Sequence, residues 1–270
     1  MDNIPQGLHD VINSKQLIPI VGAGVSKSIK NKQGEGVFPS WIELLEKAAN
    51  ELKKQAENNK AKLVESFLKE PDFQQAAKYA YEGLKGPNWY NFFKSQFSPK
   101  FDSLDPSSAS LPKAIWRLSN QIITLNYDKT LEWAHKQPAQ VSTIDNNSTA
   151  ELADFQKPNH GNPVVWHLHG HIDNCAELIL TPKGYQKLYA TSADTKAHYK
   201  AALETLRTIS RNKSLLFIGC SLDDAELLSE IHQEQALFAE NTGPHYALVH
   251  KDEEAKIKAK LNGTNIKERA

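Results

Sequence analysis

The sequence predicts an α/β protein: a Rossmann-like, doubly wound, mainly parallel sheet with an inserted helical module. Three observations lead there. Short, near-continuous apolar runs recur at LIPIV (17–21), QIITL (121–125), PVVWHL (163–168), SLLFIG (214–219) and HYALVH (245–250), as in strands buried on both faces. Helical patterns at 193–211, 223–238 and 252–261 lie between and after them, the alternation expected of parallel strands joined by crossovers. Glycine-bearing turns follow two of the runs, at the strand ends where open α/β sheets bind their ligands.

Taken in order, residues 1–15 are polar and amphipathic, with no apolar signal segment. The first strand runs into Gly22-Ala23-Gly24, and KNKQGEGVF (30–38), with Gly34 and Gly36, reads as a mobile loop. About ninety residues without a strand pattern follow. Ser40 with Glu43 forms a capping box ahead of a helical run, and Asp72 with Gln75 marks another start. NWYNFFKSQF (88–97) and PKAIWRLSN (112–120) continue the helical pattern. The expectation is one domain over 1–270 with a helical insert at about 38–118. Trp41, Trp89, Trp116 and Trp133 fall on the apolar stripes of these helices, and ELKKQAENNKAK (51–62) is a solvated face.

Composition narrows the function classes. Thirty-two basic and thirty-two acidic residues cancel, which excludes a broad electrostatic nucleic-acid footprint. Cys175 and Cys220 stand far apart and form no CxxC pair, so neither a disulfide framework nor a cysteine zinc ribbon is written. The longest apolar runs are strand-sized, far short of a bilayer span. The expectation is a soluble, cytoplasmic protein with no membrane contact.

The turns carry the chemistry. GAGVS (22–26) has the composition of a phosphate-binding strand-to-helix turn, where glycines let the backbone approach an anion. A tight turn that needs glycine for packing explains the same residues. FIGCSLDDAEL (217–227) holds a second such turn, with Ser221, Asp223 and Asp224 as candidate helix caps. VVWHLHGHID (164–173) spaces His167, His169 and His171 at alternate positions, which an ideal strand would turn to one face. A metal comb would need further ligands, and His198, His232 and His245 lie in no motif. Gly170 also interrupts the alternation.

In order, GAGVS (22–26), TLNYD (124–128), the HG of WHLHGHID (169–170) and GCS (219–221) resemble the sirtuin family, over most of the chain. FPSWIELL and TLNYD look more like the prokaryotic sirtuin-like NAD hydrolases of antiphage defence than like deacylases. Leu125 stands where the family usually has glutamine, and the deacylases' four-cysteine zinc module has no counterpart here. The resemblance implies a hydrolase cleaving the nicotinamide–ribose bond of NAD to nicotinamide and ADP-ribose, with no metal. It implies NAD contacts from Gly22, Ala23, Gly24, Ser26, Asp128, Gly219, Cys220 and Ser221. It further implies a defence effector that depletes cellular NAD. Control would come from homo-oligomerisation and from a separate partner, an ATPase such as a HerA-type DNA translocase or a nucleic-acid-guided module. An NAD-dependent deacylase, an ADP-ribosyltransferase and a non-catalytic module binding NAD or ADP-ribose stay open as alternatives.

Cleaving this bond builds oxocarbenium-like charge on the ribose. The protein must orient the sugar and supply a base. Within the resemblance, Asn126 offers a carboxamide to a ribose hydroxyl or a water. His169 takes the proton, a role that an imidazole with an ordinary pKa of about 6.5 suits near neutrality. Asp128 orients its turn or contacts NAD, His167 is a buried supporting residue and His171 belongs to a loop.

Overall fold

A computed structural model of the chain describes residues 4–157, 161–189, 198–238 and 241–262. Its sheet has six strands, all parallel: β1 (Leu17–Val21), β2 (Gln121–Thr124), β3 (Ser142–Ile144), β4 (Val164–His167), β5 (Ser214–Ile218) and β6 (Tyr246–Leu248). Their spatial order is β3-β4-β2-β1-β5-β6. The five apolar runs all form strands. The sixth, β3, is a three-residue edge strand with only Ile144 buried, too short and too polar to show the periodicity that identifies the others.

Every residue of β1, β2, β4 and β5 is buried, because both faces of the sheet are covered. Ile18, Ile20, Ile123, Trp166, Leu215 and Phe217 face one apolar layer, and Leu17, Val21, Ile122, Val165, Leu216 and Ile218 face another. The first layer is closed by α9 (Thr149–Phe155), α10 (Pro182–Tyr189), α11 (Lys200–Asn212) and α12 (Ala225–Leu237). The second is closed by α1 (Gln6–Asn13), α7 (Ser110–Ile115) and α8 (Thr130–Ala134). Numbering is in chain order. The short α2 (Ala23–Lys27) leaves β1 directly, and α13 (Glu254–Asn262) ends the described chain. The predicted helix at 193–211 starts at Lys200 among the described residues, its first part lying outside them.

Between β1 and β2 stand α3 (Trp41–Lys54), α4 (Asn58–Lys69), α5 (Phe73–Leu84) and α6 (Gly86–Phe97), then α7. Both predicted starts are present: Ser40 and Glu43 make a reciprocal capping box at α3, and Asp72 accepts from the Gln75 N–H at α5. Leu44, Leu45, Leu52, Val64, Ala76 and Phe93 share an apolar core separate from the two sheet layers. Tyr127, immediately after Asn126, belongs to that core, with its ring 5.1 Å from Phe93. The helices thus grip the strand end that carries the candidate site. Residues 30–38 form a turn closed by Asn31, whose side-chain oxygen accepts from the Gln33 and Glu35 N–H groups.

Candidate active site

The chain crosses from β1 to β2 on one side of the sheet and from β5 to β6 on the other. The loops leaving β1 and β5 therefore diverge and open a crevice at the strands' C-terminal ends. The GAG and GCS turns face each other there. Gly22 N–H donates to Ile218 O at 3.0 Å and Gly24 N–H to Gly219 O at 2.9 Å. A β-carbon on Gly22 would lie 2.6 Å from Gly219 O, and one on Gly219, whose φ is +65°, 2.7 Å from Val25 N. These glycines let two backbones touch, the packing explanation of the motif, and two of the N–H groups are already committed. Ala23, Gly24 and Ser221 form the exposed lip of this contact. The Cys220 thiol lies within 3.5 Å of Ile20 O, and burial pushes its pKa up to about 12.

Asn126 and His169 stand together because their strands are neighbours in register. Thr124 pairs with His167, and each candidate sits two residues further on. The Asn126 amide nitrogen donates to Gly22 O and to Ser26 Oγ, both at 2.9 Å. Both Nδ2 hydrogens are thereby used, which leaves Oδ1 as the atom able to accept from a ligand hydroxyl. Ser26 in turn bonds the buried Asp128, whose Oδ1 accepts from Thr130 N–H at 2.9 Å. Burial raises the Asp128 pKa against those bonds. Its carboxyl is thus engaged within the turn by Ser26 and Thr130.

The alternation of the three histidines fails after His167. The strand ends there, Gly170 N–H closes a turn on His167 O, and Gly170 has φ +82°. His167 and His171 end with ring centroids 5.4 Å apart, while His169 points toward α10 and α12. His167 is completely buried and binds two acceptors, Asn126 O through Nδ1 and Glu132 Oε1 through Nε2, each at 2.9 Å. A ring that donates from both nitrogens is an imidazolium. Burial opposes this, but the adjacent Glu132 carboxylate, with the Asn126 carbonyl and Asp128, outweighs it, and the pKa of His167 is raised. His171 is pushed the other way, by burial and then by the positive His167. Its Nε2 lies 3.8 Å from Asp145. Among the described residues no group of three or more His, Cys, Asp or Glu side chains is placed to hold a metal.

His169 is only 5% exposed. Its Nε2 is 3.2 Å from Asp224 Oδ2 and 3.3 Å from the Tyr189 hydroxyl, and the Tyr185 ring centroid lies 5.5 Å away. Sequence reasoning offered Asp224 only as a helix cap, which it also is, since Oδ1 accepts from Leu227 N–H at 2.9 Å. Glu132, Tyr185 and Tyr189 were missed altogether. Tyr185 and Tyr189 sit in an amphipathic helix with no motif around them, and Glu132 in a short, largely buried helix after the TLNYD segment, so no local signal marks them.

Doubly wound topology, paired glycine turns at the switch point and a polar pair on adjacent strand ends define a nucleotide-site class of α/β protein. A model of the SIR2-like domain family matches residues 120–267, more than half of the chain, and the chain belongs to that family. It is also 30% identical, over 128 residues, to the NAD(+) hydrolase ThsA of Enterococcus faecium. That match takes in 47% of this chain and 25% of the relative, so the chain spans about a quarter of that protein's length. Family and relative together support an NAD-related function. Among the described residues no helix is long and apolar enough to cross a membrane.

Proposed function

We propose that the chain hydrolyses NAD to nicotinamide and ADP-ribose, with residues 1–270 acting as one NAD-binding domain and 38–118 as its helical insert. The observation that carries the reading is the pairing of Asn126 and His169 at the ends of adjacent strands, beside two glycine turns on the crevice. The Asn126 Oδ1 fixes a ribose hydroxyl, and His169 removes a proton from the sugar or, through it, from the attacking water. The rim around Ala23, Gly24, Gly219, Cys220 and Ser221 takes the pyrophosphate side of the ligand. The chemistry needs no metal.

The same reading extends to biology: an antiphage effector that depletes NAD, held in check by homo-oligomerisation and by a separate ATPase or nucleic-acid-guided partner. The activity of the relative and the family assignment support the chemical step. The deciding experiment incubates purified protein with NAD and follows nicotinamide and ADP-ribose by chromatography. Release without an acyl-lysine peptide and in the presence of chelator is the expected result. A strict peptide requirement, or complete loss of turnover in chelator, would overturn the hydrolase reading.

A further inference from the structure

We propose that Asp224 is the positioning residue for His169, and that its carboxylate fixes the ring as the Nε2–H tautomer with Nδ1 as the proton-accepting nitrogen. The inference rests on the base role proposed for His169.

Among the described residues, groups from two helices and one backbone segment meet His169. From α10 come the Tyr185 and Tyr189 rings, from the start of α12 comes Asp224, and the backbone O of His169 accepts from Ile179 N–H at 2.9 Å. Asp224 is the one carboxylate among these groups. Its two oxygens do different work. Oδ1 accepts from Leu227 N–H at 2.9 Å and caps α12. Oδ2 lies 3.2 Å from His169 Nε2 and accepts from the Tyr185 hydroxyl at 3.4 Å. A carboxylate has no proton to give, so the shared hydrogen is on Nε2 and the lone pair is on Nδ1. Burial alone would raise the pKa of Asp224, but the hydrogen bond and charge of His169, with the bonds from Leu227 N–H and Tyr185, together leave it lowered. A helix cap needs only one oxygen and no histidine. The second contact is therefore beyond what capping α12 explains.

The arrangement makes Asp224→Asn an unusually informative variant. The Leu227 N–H still requires an acceptor, so the new carboxamide keeps its oxygen on the helix and turns its NH2 toward His169. An NH2 group donates, which demands a bare Nε2 and moves the ring proton to Nδ1. The base is then presented in the wrong tautomer with the cap intact. Asp224→Ser supplies a control: a serine caps α12 as well as aspartate does, but is too short to reach the ring.

The test measures the 15N shifts of the His169 ring at a pH where it is neutral, alongside NAD cleavage, for the wild type and both variants. We expect Nε2–H in the wild type and Nδ1–H in Asp224→Asn. In that variant kcat falls at least about tenfold, as wrong-tautomer substitutions do in other histidine-base enzymes, while KM changes little. Asp224→Ser should keep the thermal midpoint and lose kcat. A wild-type ring in the Nδ1–H form, or an Asp224→Asn protein with unchanged tautomer and kcat, overturns the proposal. If the wild type cleaves no NAD, the hydrolase reading fails, and the ring spectra still decide whether Asp224 sets the tautomer.

Discussion

His167 and His169 are separated by one residue, yet they occupy opposite kinds of environment. His167 is the last residue of β4, wholly enclosed, with both nitrogens bound to acceptors that belong to the fold. His169 lies past the strand end, in a turn, with its polar neighbours drawn from two helices that pack over the crevice. The difference teaches that residue type and spacing do not decide a histidine's work. What decides is whether the strand continues. One turn at Gly170 splits the motif into a structural cation and a candidate base.

The comparison can be broken at its structural half first. His167→Ala removes one partner of an enclosed ion pair and leaves Glu132 uncompensated, a loss of about 3–5 kcal/mol. Urea denaturation should show a much lower midpoint, and replacing Glu132 and His167 together by leucine should recover part of it. An unchanged midpoint for His167→Ala would mean that the pair is not what fastens β4 to α8.

At the other half, His169→Ala should lower NAD turnover by about a hundredfold or more while the midpoint stays close to wild type. Comparable loss of activity from His167→Ala at a temperature where that variant is folded would erase the distinction. The Asn126 carboxamide offers a parallel check, since Asn126→Asp leaves its size unchanged but cannot donate to both Gly22 O and Ser26 Oγ.

A pH series sharpens the contrast further. The pKa of His167 is raised above its unfolded value of 6.5, so its stabilisation is fully present below 6.5 and vanishes as pH rises through the folded value. Between those two limits the stability gap separating wild type from His167→Ala should shrink by about 1.4 kcal/mol per pH unit. Glu132, lowered from 4.5, behaves in mirror image: its contribution is present above 4.5 and is lost as pH falls through its folded value. A gap that stays constant from neutral to alkaline pH would show that the ring is not charged.

The smallest effect belongs to His171. Its ion-pair distance is long and the neighbouring His167 disfavours a second charge, so His171→Ala should change the midpoint by less than about 0.5 kcal/mol and leave turnover alone. A loss equal to that of His169→Ala would revive the idea of a histidine comb.

Much of this was legible in the sequence, for a physical reason. Strands buried on both faces must be apolar at nearly every position, so LIPIV and SLLFI declare themselves, and a capping box such as Ser40 with Glu43 is a local hydrogen-bond pattern. The ordered motifs also point to the strand ends that carry Asn126 and His169. What stayed hidden depends on contacts distant in sequence. The Glu132 carboxylate reaches His167 only because α8 lies against β4, and Tyr189 reaches His169 only because α10 packs on the first apolar layer of the sheet. Asp224 hid behind a simpler role, since a helix cap already accounts for an aspartate at that position. The edge strand β3 was missed because three residues with one buried side chain carry no period.

The sheet order has a consequence for how the chain is made. β1 is one of the two central strands, yet its full-length partner is β5, with Leu17 paired to Ser214 and Val21 to Ile218. On a ribosome, Leu17 therefore emerges long before Ser214, on the order of ten seconds or more at ordinary synthesis rates. Through that interval β1 has only β2 to pair with, through Ile20 with Ile123 and Val21 with Thr124, while most of the core shared by α3 to α6 comes from residues between those two strands. Until β5 arrives, one side of β1 is an open sheet edge, the kind of unpaired apolar strand that a chaperone would have to shelter.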